Sequence, residues 1–219
     1  MGIGKLAFLE FVDEAIGGGE PTAGQDRTIR GDYFVSRRLG LGFVKPSAWY
    51  FHAFEDFFPM LAGQTLKTGF GDEAEDLAEH ASNLVAVISK YPVGEIAEGD
   101  STRFSPSITI FSNAEDRDDV AADFGTLVSL GIEYFRKNLR DYVILEPPRF
   151  QMISMCPAVR YTSQFLFEHR AIVPTVVRDV TLVIDQGQCV FSVHLYDSPA
   201  TGETVGGEFE AFMGSLHLA

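Results

Sequence analysis

Residues 176–196 read VVRDVTLVIDQGQCVFSVHLY, two apolar runs on either side of a short polar segment. Apolar side chains predominate over residues 176–184 and again over residues 189–196, and each run has the length of a β-strand. The segment between them, residues 185–188, favours a tight turn because Gly187 can adopt a positive φ angle. We therefore predict two antiparallel neighbours within a sheet.

Further strands and helices follow from the periodicity outside this hairpin. The side chains of residues 158–167 alternate between two faces, which is typical of a strand. Before them, the pair Pro147-Pro148 is expected to separate two shorter strands, residues 142–146 and 150–153. Helical spacing marks residues 119–139, residues 203–216 and a short N-terminal segment, residues 5–16. The pattern predicts an α+β fold: a twisted antiparallel sheet flanked by a long central helix and a C-terminal helix, with an extra N-terminal helix.

The charge of the chain narrows the classes of partner. There are 31 acidic against 17 basic side chains, a formal net charge of -14, which repels phosphate backbones and anionic membrane surfaces. Nucleic-acid binding is therefore not expected. No stretch is long and apolar enough to span a bilayer, and Glu10, Asp13 and Glu14 interrupt the N-terminal apolar residues. With Met1 as the native start, we expect a cytoplasmic location.

The residues that usually carry chemistry are scattered. The five histidines lie at positions 52, 80, 169, 194 and 217, without the spacing that places two imidazoles on one metal, and the two cysteines are single. We expect no metal, no cofactor and no enzymatic activity. His194 shares a strand face with Ser192 and Tyr196, and a structural histidine on the solvent side is the expectation. A small hydrolase-like enzyme that uses His194 or His52 as a base is the alternative.

Aromatic side chains are concentrated between residues 49 and 66, together with charged ones. They are too dense for one helical stripe, so some of them are expected to face a second surface, a ligand or another subunit. The residues predicted to bind a partner are Trp49, Phe51, Phe54, Phe57 and Phe58. Packing in the core or against a symmetry mate remains open for the same residues.

The order of elements resembles that of the PsbP/DcrB-like superfamily, which includes photosystem accessory proteins, DcrB proteins and type VI effector chaperones. The residues that carry the resemblance are 42–49, 106–110, 119–139 with 142–146, 158–161 and 209–216. The resemblance implies one domain over residues 1–219, an antiparallel sheet flanked by helices, and binding of partners rather than catalysis. Residues 1–31 are then an N-terminal extension and residues 50–83 an insertion.

These observations lead to one functional expectation with two alternatives. We expect a non-enzymatic protein-binding or chaperone-like module that takes an apolar segment of a partner protein, and an acidic rim would suit a guest flanked by Lys or Arg. The small enzyme described above is one alternative. A purely structural homodimer that buries the aromatic segment is the other.

Overall fold

The computed structural model describes residues 27–53, 56, 83–92, 104–113, 123–169, 172–187, 189–199 and 205–219. Within these ranges the strands are β1 (Arg27–Arg30), β2 (Tyr33–Ser36), β3 (Leu41–Val44), β4 (Tyr50–Phe51), β5 (Leu84–Ser89), β6 (Ser107–Asn113), β7 (Arg140–Ile153), β8 (Cys156–His169), β9 (Ile172–Asp185), β10 (Val190–Asp197) and β11 (His217–Leu218). The helices in the same ranges are α1 (Phe124–Asn138) and α2 (Gly206–Met213). The predicted N-terminal helix lies outside the described residues.

The chain divides into two compact units. Among the described residues, unit 1 contains those up to Ala48, then Met152–Cys156 and Gly206–Ala219, and unit 2 contains Trp49–Gln151 and Pro157–Val205. The single domain expected from the sequence stays a prediction. In the part of the chain that is described, no helix has the length and apolar character needed to cross a membrane, and the cytoplasmic location also stays a prediction.

Unit 1 is built on a four-stranded sheet with the order β1-β2-β3-β11. Phe34 and Phe43 lie directly opposite each other on β2 and β3, and their rings stack with centroids 4.6 Å apart. Phe212 of α2 packs edge-on against Phe43, with a centroid distance of 5.3 Å. The three aromatic side chains are fully buried and form the core of this unit.

Unit 2 is built on a seven-stranded sheet with the order β4-β5-β6-β10-β9-β8-β7. The predicted hairpin is confirmed, because β9 and β10 are antiparallel neighbours and Gly187, at a φ angle of 96°, lies in the turn between them. Buried residues Val128 and Ile132 of α1 belong to the apolar cluster that also includes Val159 of β8, so α1 packs on one face of this sheet.

The predicted α+β arrangement of one sheet flanked by a long central helix is wrong. The described chain is predominantly β, with two separate sheets and two short helices of 15 and 8 residues. β2 and β3 pair with each other and, on their other sides, with β1 and β11, so these four strands form a sheet of their own. The reason is that a period of two reveals which side chains share a face, whereas it says nothing about which strands become partners.

The predicted break at Pro147-Pro148 is also wrong. Both prolines lie inside β7, which continues for 14 residues to Ile153. β7 stands at the end of the strand order described for its sheet, so one of the two adjacent prolines occupies a position whose N–H would point away from the neighbouring strand and would make no ladder hydrogen bond. The chain turns instead at Ser154-Met155, whose φ angles of 47° and 67° match the left-handed conformation of a two-residue hairpin turn.

Both helices retain the predicted apolar faces but are shorter than predicted. Residues 114–122 are not described, and α1 starts after Asp123, whose carboxylate accepts a hydrogen bond from the Thr126 amide at 3.0 Å. Phe209, Phe212 and Met213 of α2 are buried, as the stripe of apolar residues predicted. Neither cysteine forms a disulfide.

Candidate functional site

Strand register gathers polar side chains from four strands on one face of the sheet in unit 2. His194 lies opposite Thr109 and Thr181, and Tyr196 lies opposite Ser107 and Asp179. β8 extends both rows, because Tyr161 pairs with Thr181 and Ser163 pairs with Asp179. We call these eight residues the polar array: Ser107, Thr109, Tyr161, Ser163, Asp179, Thr181, His194 and Tyr196.

The centre of the polar array is a hydrogen-bonded pair, His194 and Asp179. The imidazole Nδ1–H donates to Asp179 Oδ2 over 2.9 Å, and the Thr181 hydroxyl donates to the same oxygen over 3.1 Å. Since a carboxylate can only accept, the hydrogen bond fixes the proton of His194 on Nδ1. The carboxylate therefore orients the ring, as it does in many catalytic and structural pairs.

Aromatic rings enclose His194. The ring stacks on Tyr196 at a centroid distance of 5.7 Å and meets Phe111 and Phe135 edge-on at 6.2 Å and 5.6 Å. Phe135 belongs to α1, so the helix covers the face on which His194 lies. The predicted solvent-side position is therefore wrong: His194 is only 5% exposed. The sequence placed His194 correctly beside Tyr196, but it did not show that a helix covers that face.

Burial also governs the protonation of the tyrosines around the pair. Desolvation raises the pKa of Tyr142, Tyr161 and Tyr196 above that of a free phenol, and the negative charge of Asp179 raises each of them further. All three phenols are thus neutral hydrogen-bonding groups over the physiological pH range.

The arrangement is that of an internal polar cluster. A general base has to reach the proton that it removes, and the rings around His194 leave only a small part of it accessible. Within the described ranges, no three His, Cys, Asp or Glu side chains converge in a way that could hold a metal ion. The polar array is therefore better suited to holding the sheet and α1 together than to reacting with a substrate.

Unit 2 also has a surface groove which, unlike the buried polar array, exposes apolar side chains. It has a volume of about 420 Å³ and is formed by the first half of α1, by β7 and by β8. The residues that line this α1 groove are Asp123, Gly125, Thr126, Val128, Ser129, Leu130, Glu133, Pro148, Phe150 and Val159. Two large apolar side chains in it are unusually accessible, since Leu130 is 54% and Phe150 is 74% exposed.

The charges in the α1 groove are negative. Asp123 and Glu133 are its two ionisable lining residues. The Thr126 amide and hydroxyl, which donate to Asp123 at 3.0 Å and 3.1 Å, hold the pKa of this carboxyl below its usual value. Asp123 therefore stays charged down to a more acidic pH than an ordinary aspartate, and the groove combines apolar surface with fixed negative charge.

The α1 groove is not evident from the sequence, although the position of Leu130 on α1 is a local signal for it. Leu130 and Tyr134 are spaced four residues apart, on the side of the helix opposite the buried Val128 and Ile132. Apolar residues off the buried stripe of a surface helix indicate a second contact surface. The contribution of Pro148 and Phe150 could not be predicted, because β7 was expected to end before them.

The five residues predicted to bind a partner are only partly described. Trp49 is 3% exposed and is therefore packed inside the protein, and Phe51 is half-buried on β4, opposite Ile88. Phe54, Phe57 and Phe58 lie outside the described residues. The structure does not bring Trp49 or Phe51 into the α1 groove, and a binding role for the aromatic segment stays a prediction.

His52, the other histidine considered for catalysis, is half-buried near the start of this aromatic segment. Its Nε2 lies 2.5 Å from the Ser89 hydroxyl, which in turn donates to the Tyr91 carbonyl. Burial lowers the pKa of His52, and the Asp56 carboxylate opposes this shift. His52 and His194 occur in different clusters, so they do not form a common site.

No protein-family model matches the chain, and no curated protein matches it. Solved structures at low sequence identity do. The solution structure of cyanobacterial PsbP from Synechocystis aligns with 92% of this chain and 98% of that one, at 13% identity and a TM-score of 0.49. LpqN, which is involved in cell envelope biogenesis of Mycobacterium tuberculosis, aligns with 82% of this chain and 83% of that one, at 9% identity and a TM-score of 0.47.

A third neighbour is a Pseudomonas aeruginosa protein of unknown function, which aligns with 52% of this chain and 68% of that one at 19% identity and a TM-score of 0.39. A PsbP structure is thus among the structural neighbours. Membership of the PsbP/DcrB-like superfamily stays a prediction.

Proposed function

We propose that this chain is a non-enzymatic binding module that takes an apolar segment of a partner protein into the α1 groove. The observation that carries the proposal is the pair of exposed apolar side chains, Leu130 and Phe150, which line the groove from α1 and β7. A volume of about 420 Å³ is within the range of sites that hold a ligand or a few side chains of a peptide.

The negative charge of the α1 groove favours a partner segment that carries Lys or Arg. Asp123 and Glu133 line the same groove, and the whole chain has a formal net charge of -14. A segment with Lys or Arg beside its apolar residues is attracted on approach and places its charges next to these carboxylates, whereas an acidic segment is repelled. The guest is therefore an apolar segment flanked by basic residues.

The enclosure of His194 supports a non-enzymatic role. The imidazole is held by Asp179 and surrounded by Phe111, Phe135 and Tyr196. A module that binds a segment needs a rigid platform under the groove, and a hydrogen-bonded cluster beneath α1 provides one.

A labelled peptide tests the proposal. We expect a peptide of alternating Leu, Phe and Lys to bind the wild-type protein, with fluorescence anisotropy as the readout. Leu130→Asp and Phe150→Asp each put a charge where the apolar side chains of the guest would pack, and each should weaken binding by roughly 30-fold or more, which is the size of effect found for central interface residues.

Two controls make this test specific. Val173→Asp changes an equally exposed apolar residue outside the groove and should leave the affinity unchanged. The same peptide with Glu in place of Lys should bind much more weakly. Equal binding to Leu130→Asp, Phe150→Asp and wild type would contradict the proposal. A dimer that both groove variants dissociate, measured by sedimentation, would assign the groove to a second copy of the chain and would also contradict it.

A further inference from the structure

Strand β7 stands at the end of the seven-stranded sheet. Among the described strands, β8 lies beside it and none lies on its other side. The N–H and C=O groups on the outer side of such a strand are a template for pairing with another chain. Pro147 and Pro148 lack an N–H, but the residues before and after them in β7 retain theirs. Most of this strand can therefore form backbone hydrogen bonds on its outer side.

The same strand exposes large apolar side chains. Val143 is 49% and Leu145 is 47% exposed, and Phe150 is the highly exposed residue of the α1 groove. Native proteins usually protect the edge of a sheet with charged side chains, because an apolar edge associates with other chains. The composition of β7 is therefore that of a contact surface.

The exposed apolar side chains of β7 lie on both faces of the sheet. Tyr142 belongs to the buried cluster beneath α1, and Ile144 packs against it. Val143 and Leu145 alternate with them along the strand, so they face the opposite side of the sheet. Phe150 lines the groove together with residues of α1, so it is on the α1 side. Two apolar surfaces thus flank one edge.

A single partner segment covers both surfaces only when it lies in the plane of the sheet. A helix in the α1 groove contacts the α1 side of β7 and leaves Val143 and Leu145 in water. An extended segment beside β7 directs alternate side chains to the two faces, and its backbone pairs with the outward N–H and C=O groups. The geometry of β7 therefore favours an extended guest over a helical one.

We propose that the guest of the α1 groove binds as an additional strand, which pairs with β7 along residues 143–150. This inference rests on the proposed function, because the guest is the same apolar segment flanked by Lys or Arg. At roughly 3.3 Å per residue, about eight guest residues match this length of β7. One row of their side chains packs on Leu130 and Phe150, and the other row packs on Val143 and Leu145. Asp123 and Glu133 attract the basic flanks.

The affinity of a labelled peptide tests the strand addition. The probe has an eight-residue core of Val, Phe and Thr between two pairs of Lys, and fluorescence anisotropy reports its binding. Val143→Ser/Leu145→Ser removes both apolar side chains from the face opposite the groove, and it should weaken binding by roughly 10-fold. Val173→Ser/Val176→Ser is the matched control, because it changes two similarly exposed residues of β9 and should leave the affinity unaltered.

Hydrogen exchange measured by NMR on the wild-type protein detects the backbone pairing without any substitution. In the free protein, the amides of residues 142–146 and 149–151 that face away from β8 should exchange rapidly. With the peptide bound, these alternate amides should exchange at least roughly 10-fold more slowly, because they then donate to the guest.

The outcomes separate this inference from the proposed function. If Leu130→Asp and Phe150→Asp weaken binding while Val143→Ser/Leu145→Ser does not, and β7 gains no protection, strand addition is wrong and the groove still binds the guest. If the wild-type protein binds no peptide, both proposals are wrong. Protection of the outward amides already in the free protein would show that another part of the chain occupies this edge, which would also overturn the inference.

Discussion

His194→Ala is expected to lower the free energy of unfolding by about 3 kcal/mol, the upper end of the cost of leaving a buried acceptor without its hydrogen-bond donor. The substitution leaves Asp179 Oδ2 without its imidazole donor, and water cannot readily replace that donor because Asp179 is only 4% exposed. It also removes the ring that Phe135, Phe111 and Tyr196 contact, which leaves a cavity next to α1. Urea denaturation followed by circular dichroism measures the change.

A double-mutant cycle separates the two contributions. Asp179→Asn keeps the shape of the side chain and removes its charge, so the double variant His194→Ala/Asp179→Asn should be less unstable than the sum of the two single changes. Additive effects would show that the loss comes from the cavity alone. A stability within about 0.5 kcal/mol of wild type for His194→Ala would contradict the structural role and favour a role for His194 in binding or catalysis.

Alkaline pH is expected to unfold the protein steeply. The folded state raises the pKa of Tyr161 and Tyr196 through burial, so both phenols stay protonated in the folded protein while they ionise near pH 10 in the unfolded chain. The stabilisation that comes from keeping these phenols protonated is fully present below the pKa of tyrosine in the unfolded chain, and it is lost as the pH rises above that value. Each buried phenol lowers stability by roughly 1.4 kcal/mol per pH unit in that range.

The measurement is the urea midpoint as a function of pH between neutrality and strongly alkaline solution, with tyrosinate absorbance recorded in parallel. Tyrosinate of the buried residues should appear together with unfolding. Tyr161→Phe should reduce the slope of the free energy of unfolding against pH by about one proton equivalent, since one phenol fewer then ionises on unfolding. Tyr134→Phe changes an exposed tyrosine on α1 and should leave the slope unaltered. Ionisation of Tyr161 and Tyr196 without unfolding would contradict the expected burial.

The hairpin and the apolar faces of the helices could be predicted from the sequence, because their signals lie in residues that are close together in the chain. Gly187 and the two apolar runs around it predicted the hairpin of β9 and β10, which the structure confirms. The apolar spacing in α1 and α2 predicted the faces that are buried, among them Val128 and Phe212. These predictions succeeded because the side-chain periods of strand and helix, and the positive φ of a turn, are properties of neighbouring residues in the chain.

The contacts between these elements followed from the three-dimensional structure and could not be derived from the sequence. The sequence placed His194 beside Tyr196, yet the position of α1 over that face makes it a buried partner of Asp179 rather than a solvent-side histidine. Pro147-Pro148 read as a break, yet β7 runs through both prolines, and this brings Phe150 to the α1 groove. The pairing of strands into two sheets and the groove itself depend on residues far apart in the sequence, and periodicity within a single segment carries no information about such partners.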